Sequence, residues 1–152
     1  MPSSSDTADR EFVVTRAYDA PRALVYQMWT DPKHIVQWWG PAGFSNTVEV
    51  MDVRPGGIWR HVMHGPDGRN FPNESVYVEV VKDERLVYDH ASEPHFRATA
   101  TFADEAGKTR VTLRMVFRSA DSRDRVVKAV NAIEGANQTL ARLADHLATV
   151  ST

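Results

Sequence analysis

The chain has 152 residues, of which 42% are hydrophobic and 25% charged, with a net charge of -2. That length can bury a core without staples, and that charge leaves no electrostatic footprint for nucleic acid or an anionic membrane. With no cysteine there is no disulfide, thiolate nucleophile or thiolate metal site. No apolar run reaches transmembrane length, so no membrane insertion is expected, and a cytoplasmic location fits.

Residues 1–10 read as a disordered N-terminal tail, because Met1 to Thr7 has neither a basic nor an apolar leader region. A single domain is expected over 11–150. Phe12 to Tyr18 is β-branched and aromatic and predicts a strand, stopped by Asp19-Ala20-Pro21. Pro21 begins a helix to Trp29, with Leu24, Val25 and Met28 inward. Thr30-Asp31-Pro32 caps a second short helix ending near Trp38.

Trp38-Trp39-Gly40-Pro41 follows. Two adjacent tryptophans ahead of a helix-breaking pair cannot both face one core, so at least one is expected at the rim of a groove or cavity. From Phe44 to about Ser119 the turn residues of Arg54-Pro55-Gly56-Gly57, Gly65-Pro66-Asp67-Gly68, Lys82-Asp83-Glu84 and Asp104-Glu105-Ala106-Gly107 divide a meander of about six strands. The predicted runs are Ile58–His64, Ser75–Val81, Arg85–His90, His95–Ala103 and Thr109–Arg118. One long helix, about Ser122 to Ala148, closes the chain, with Val126, Val130, Ile133, Leu140, Ala144 and Leu147 as its apolar stripe. The expectation is an α+β fold: a curved antiparallel sheet of about seven strands around that helix, two short helices plugging one end and an internal cavity.

Several of these segments resemble one family. They are Arg16 with Asp19-Ala20-Pro21, Trp29-Thr30-Asp31-Pro32, Trp38-Trp39-Gly40-Pro41 with Gly43-Phe44, and Asp52-Val53-Arg54-Pro55-Gly56-Gly57 with Trp59 and Met63. Gly65-Pro66-Asp67-Gly68, Glu79 with Arg85-Leu86-Val87-Tyr88, and Glu134-Gly135, Gln138, Leu140 and Arg142-Leu143 continue the series. The chain resembles the START-like, polyketide-cyclase-like superfamily (SRPBCC), and within it the homologues of the C-terminal domain of the activator of the heat-shock-protein-90 ATPase. The resemblance implies a helix-grip fold with a cavity between helix and sheet, and no shared catalytic motif. Many relatives carry a tryptophan after the Glu-Gly pair where this chain has Ala136, an absence that enlarges the cavity if that side chain points inward.

Strand parity and family matching put Trp59, His61 and Met63 on the concave face, and likewise Leu86, Tyr88 and His90. His61 and His90, with Tyr88, are the candidates for acid–base chemistry; the plainer alternative is that they are satisfied wall residues. The expected cavity lining is Trp38 or Trp39 at the mouth, then Trp59, His61, Met63, Tyr88, His90, Phe96, Phe117, Ile133, Asn137 and Leu140. Tyr77 is a possible partner for a buried Asn137 amide, which half-solvation at the edge of the stripe would leave without need of one. Glu79 reads as structural and paired with Arg85.

No metal is expected. His61 and His64 point to opposite faces of a strand, Glu93 with His95 reads as a solvated loop, and His34 and His146 sit at polar helix positions. Ser75, the only serine well inside the meander, lacks a Gly-x-Ser-x-Gly setting. Gly56-Gly57 lacks the strand–loop–helix context of a phosphate cradle, so no cofactor is expected.

The first functional expectation is therefore binding of a small, mostly apolar partner, lipid-like or aromatic. The second is a cyclase, aromatase or hydrolase acting through His61, His90 and Tyr88. The third is a chaperone partner, as for the activator. A homodimer through an outer patch of Ile58, Val62 and Val76 is a further possibility.

Overall fold

The computed structural model describes residues 8–92 and 95–150; the expected tail from Met1 to Thr7 and Glu93 of the Glu93–His95 loop lie outside them. Strand β1 (Glu11–Tyr18) leads into helices α1 (Arg22–Thr30) and α2 (Pro32–Trp38). Six strands follow: β2 (Ser45–Met51), β3 (Ile58–His64), β4 (Asn70–Val81), β5 (Arg85–His90), β6 (Phe96–Glu105) and β7 (Lys108–Phe117). Helices α3 (Ala120–Val130) and α4 (Ala132–Val150) complete the chain.

The seven strands form one open antiparallel sheet in the order β1-β7-β6-β5-β4-β3-β2. Only β1 is out of sequence, returning along β7 with Phe12 opposite Met115 and Tyr18 opposite Thr109. This is the α+β helix-grip architecture, and its helices lie on the concave face. Tyr18 Oη donates to the Leu140 carbonyl at 2.7 Å, pinning β1 to α4. Asp31 caps α2 by accepting from the Lys33 amide, with Pro32 at the first helical position.

The long terminal helix is two helices. Asn131 adopts a left-handed conformation (φ 49°, ψ 56°) and ends α3. In α4, Thr139, Leu140, Leu143 and Leu147 are buried, while Ile133 and Ala144 are half-buried. Asn137 is exposed, a correction to its expected place in the cavity. At 3.6 residues per turn it lies about 120° round the helix from Leu143.

A bulge in β4 settles Glu79. The register shifts between Tyr77, opposite Tyr88, and Glu79, opposite Val87. Tyr77 is buried, whereas Val78 and Glu79 are both exposed, and Val80 packs back onto the core. Arg85 then donates twice to the Glu79 carboxylate, at 2.8 and 3.2 Å. Ile58, Val62 and Val76 are half-buried.

Candidate functional site: a cavity under the helix break

One end of the concave face is filled. Trp29 and Trp38 meet edge to face at 5.1 Å, Trp29 packs on Phe102 at 5.8 Å, and Leu86, Ala98, Ala100 and Val111 close the layer beneath. Trp38 has no exposed surface and donates Nε1–H to the Met28 carbonyl at 3.2 Å. It is core and does not line the mouth; Trp39 does.

The other end holds a cavity of about 460 Å³. Trp39 and Trp59 meet edge to face at 5.0 Å, Trp59 stacks on His61 at 4.5 Å, and the Tyr88 ring stands across Trp59 at 5.5 Å. Phe12, Phe44, Met63, Phe96, Leu113 and Met115 complete the apolar wall. The helical side comes from Asn131, Ala132, Glu134, Gly135, Ala136, Gln138 and Thr139, around the break between α3 and α4. Small residues there leave the space.

Of the expected lining, Trp39, Trp59, His61, Met63, Tyr88, His90 and Phe96 face this cavity. Tyr77 and Leu140 are buried in the core, and Ile133 packs at its edge. Phe117 lines a separate open cleft of about 690 Å³. That cleft shares His90 and Phe96 with the cavity, but two of its arginines are paired, Arg97 with Asp89 and Arg114 with Glu11.

The loop between α2 and β2 forms the mouth. Arg142 reaches from α4 and donates to the carbonyls of Trp39, Gly40 and Pro41 through one terminal nitrogen and of Phe44 through the other, at 2.9–3.2 Å. Gln138 adds a contact from its side-chain oxygen to the Ala42 amide, at 3.1 Å. Gly40 has φ +95°, and a Cβ there would press on the Met63 methyl. In the sequence Arg142 stands only within the Arg142-Leu143 match, and nothing in its charge foretells that it holds carbonyls.

The cavity floor is polar. His61 is 3% exposed, and burial first, then the nearby His90, pushes its pKa down to about 4. It is therefore neutral at pH 7. His90 Nε2 lies 2.7 Å from Asn73 Oδ1, and its ring stacks on Phe96 at 4.7 Å. Burial also pushes the Tyr88 phenol up, which leaves it a donor and no base at neutral pH. Asn73 and Ser75 are the floor residues that pattern reading missed as lining. Ser75 pairs in register with both Trp59 and His90, so the parity that placed those two inward could have found it.

Among the described residues no three His, Asp or Glu side chains converge as metal ligands would. His64 bonds to Thr47 and Asn70 at 2.8 and 2.7 Å. His34 Nδ1 and His146 Nε2 lie 3.0 Å apart, a contact across α2 and α4 that periodicity did not foretell. Among the described residues no helix is long and apolar enough to cross a membrane.

A sheet gripping a helix over a cavity is the architecture of the START-like proteins. Within that class, this chain belongs to the family described as Activator of Hsp90 ATPase homolog 1-like protein, which it matches over residues 19–148. Among solved structures, it is similar to a protein of Nitrosomonas europaea at 25% identity and TM-score 0.87, covering 95% of this chain and 97% of that one. A protein of Mycobacterium smegmatis is 26% identical, with TM-score 0.82 and 93% of both chains covered. A more distant neighbour, from the dynemicin biosynthetic locus, shares the fold at 17% identity and TM-score 0.68, over 92% of this chain and 48% of its own. No curated protein sequence matches significantly.

Proposed function

We propose that the protein binds a small, mostly apolar molecule, lipid-like or aromatic, in the cavity between α4 and the sheet, with residues 11–150 acting as one binding domain. The observation that carries this reading is the cavity of about 460 Å³, walled by aromatic and aliphatic groups and floored by a few polar ones. That size and lining match small-molecule pockets generally. The test compares native with denaturing mass spectrometry of freshly purified protein. A reproducible mass excess lost on denaturation supports the reading and bounds the ligand's mass. No excess, with no thermal shift across a lipid and aromatic library, overturns it.

A second reading, an enzyme of cyclase or hydrolase type, draws on the proximity of His61 and His90 and on the fold neighbour from a biosynthetic locus. A base with a pKa near 4 is weak for proton abstraction at neutral pH, which favours binding over turnover. Turnover that is lost in His61→Gln and His90→Gln, with the fold intact, would reverse that order. The family's description raises a third reading, a chaperone partner; its test is direct binding to the chaperone together with a changed ATPase rate.

A further inference from the structure

Buried polar atoms without partners are concentrated at one place. Six buried side-chain atoms lack a hydrogen-bond partner among the described residues, and four of them belong to the cavity floor: Trp59 Nε1, both ring nitrogens of His61, and Ser75 Oγ. Trp59, His61 and Ser75 are 2%, 3% and 1% exposed. Trp59 and Ser75 are register partners on β3 and β4, and His61 stacks on the Trp59 indole. Leaving such groups unmatched costs about 1–3 kcal/mol each, so the floor is shaped for something that completes it.

The donor and acceptor count specifies what that is. An indole N–H only donates, a hydroxyl donates or accepts, and a neutral imidazole does one of each. The cluster thus holds as many as three unmatched donors beneath the cavity and carries no charge at neutral pH. Protonating His61 at pH 7 runs about a thousandfold against its pKa near 4. The other ionisable groups on the cavity are Tyr88, His90 and Glu134, and Glu134 brings negative charge to the helical wall. An anionic ligand therefore meets a carboxylate on the helical wall. A cation meets donors at the floor. A neutral oxygen with two lone pairs accepts from two of these donors.

From this we infer that the cavity is selective for a flat aromatic or conjugated molecule with a neutral carbonyl-type oxygen at its buried end, accepting from Trp59 Nε1 and Ser75 Oγ beside His61. The aromatic part comes from the surrounding rings: Trp39, Trp59, Tyr88 and Phe96 present faces and edges around one slot. The inference rests on the cavity-binding reading and adds the chemistry of the ligand's polar end.

Three matched probes test it by titration calorimetry on the full chain at pH 7: 2-acetylnaphthalene, its hydrocarbon counterpart 2-ethylnaphthalene, and 2-naphthoate. The ketone is expected to bind at least about tenfold tighter than the hydrocarbon, and the carboxylate weakest. Ser75→Ala is expected to shrink the ketone's advantage over the hydrocarbon by at least about threefold with an unchanged near-UV circular dichroism spectrum, which shows that the variant is folded; an advantage kept in full overturns the inference. Equal affinity for ketone and hydrocarbon in the unaltered protein overturns this inference alone and assigns the floor to bound water. Tightest binding of naphthoate also overturns it. If none of the three binds, and native mass spectrometry shows no ligand, the cavity-binding reading falls with it.

Discussion

The two ends of the concave face are built from the same strands and solved differently. At the closed end β5, β6 and β7 present Leu86, Ala98, Ala100, Phe102 and Val111 to Tyr26, Met28 and Trp29 of α1, and those helical side chains fill the layer. At the open end the same strands present His90, Phe96, Leu113 and Met115 to Ala132, Gly135 and Ala136, which do not. Large helical side chains laid over the sheet make core. Large residues facing a helix break and small residues make a pocket. Function on this scaffold thus depends less on the sheet than on what the helix above each half withholds.

The sharpest way to break the comparison is at the closed end. Trp38→Ala removes a fully buried ring and is expected to cost about 3–5 kcal/mol, read as a fall in the urea midpoint. The same measurement on Trp39→Ala, at the half-exposed mouth, should show a clearly smaller loss. If the two are equal, the distinction between core and rim is wrong.

The open end should instead show itself through pH. Unfolded, His61 takes up a proton near pH 6.5; folded, it does so only near 4. Stability is therefore unaffected above about pH 6.5 and lost as the pH falls from there toward 4, by up to about 3 kcal/mol. His146, also held below its ordinary value by burial and by His34, adds in the same direction. Denaturation curves for His61→Phe between pH 7 and 4 should flatten by most of that amount. An unchanged slope would mean that the charged imidazole is accommodated.

Arg142 joins the two regions, since it anchors the mouth loop from the helix that also closes the core. Arg142→Met strands the carbonyls it binds and is expected to cost about 2 kcal/mol. Lysine, with one compact ammonium, should restore little of it. Full rescue by lysine would show that charge, and not the fork geometry, holds the loop.

How far the sequence carried the reading follows from these same residues. Ile58–His64 and Arg85–His90 are strands with the bounds their alternation and flanking turns predict. Trp59, His61, Tyr88 and His90 face inward as the period of two requires. What periodicity could not supply was any interruption of period. The β4 bulge moves Glu79 to the outside, and no residue type announces it. Asn131 breaks a continuous helical pattern by taking a left-handed conformation, without the glycine or proline that would mark it. The polar floor was hidden for another reason. Ser75 reads as a nucleophile or as nothing until its neighbours across two strands are known, and those pairings are long-range.

The smallest expected effect is the most informative about the pocket. Ala136 lines the cavity on the helical side. Ala136→Leu places a larger side chain against existing space, so it should leave stability unchanged or raise it by about 1 kcal/mol. If the space is there to receive a ligand, the same change should abolish the mass excess of the native protein, or weaken probe binding at least about tenfold. If the substitution instead destabilises by 1–3 kcal/mol, as overpacking does, the space around Ala136 is already filled. The open end would then be a second core, and the difference between the two halves of the sheet would lie only in the polarity of what fills them.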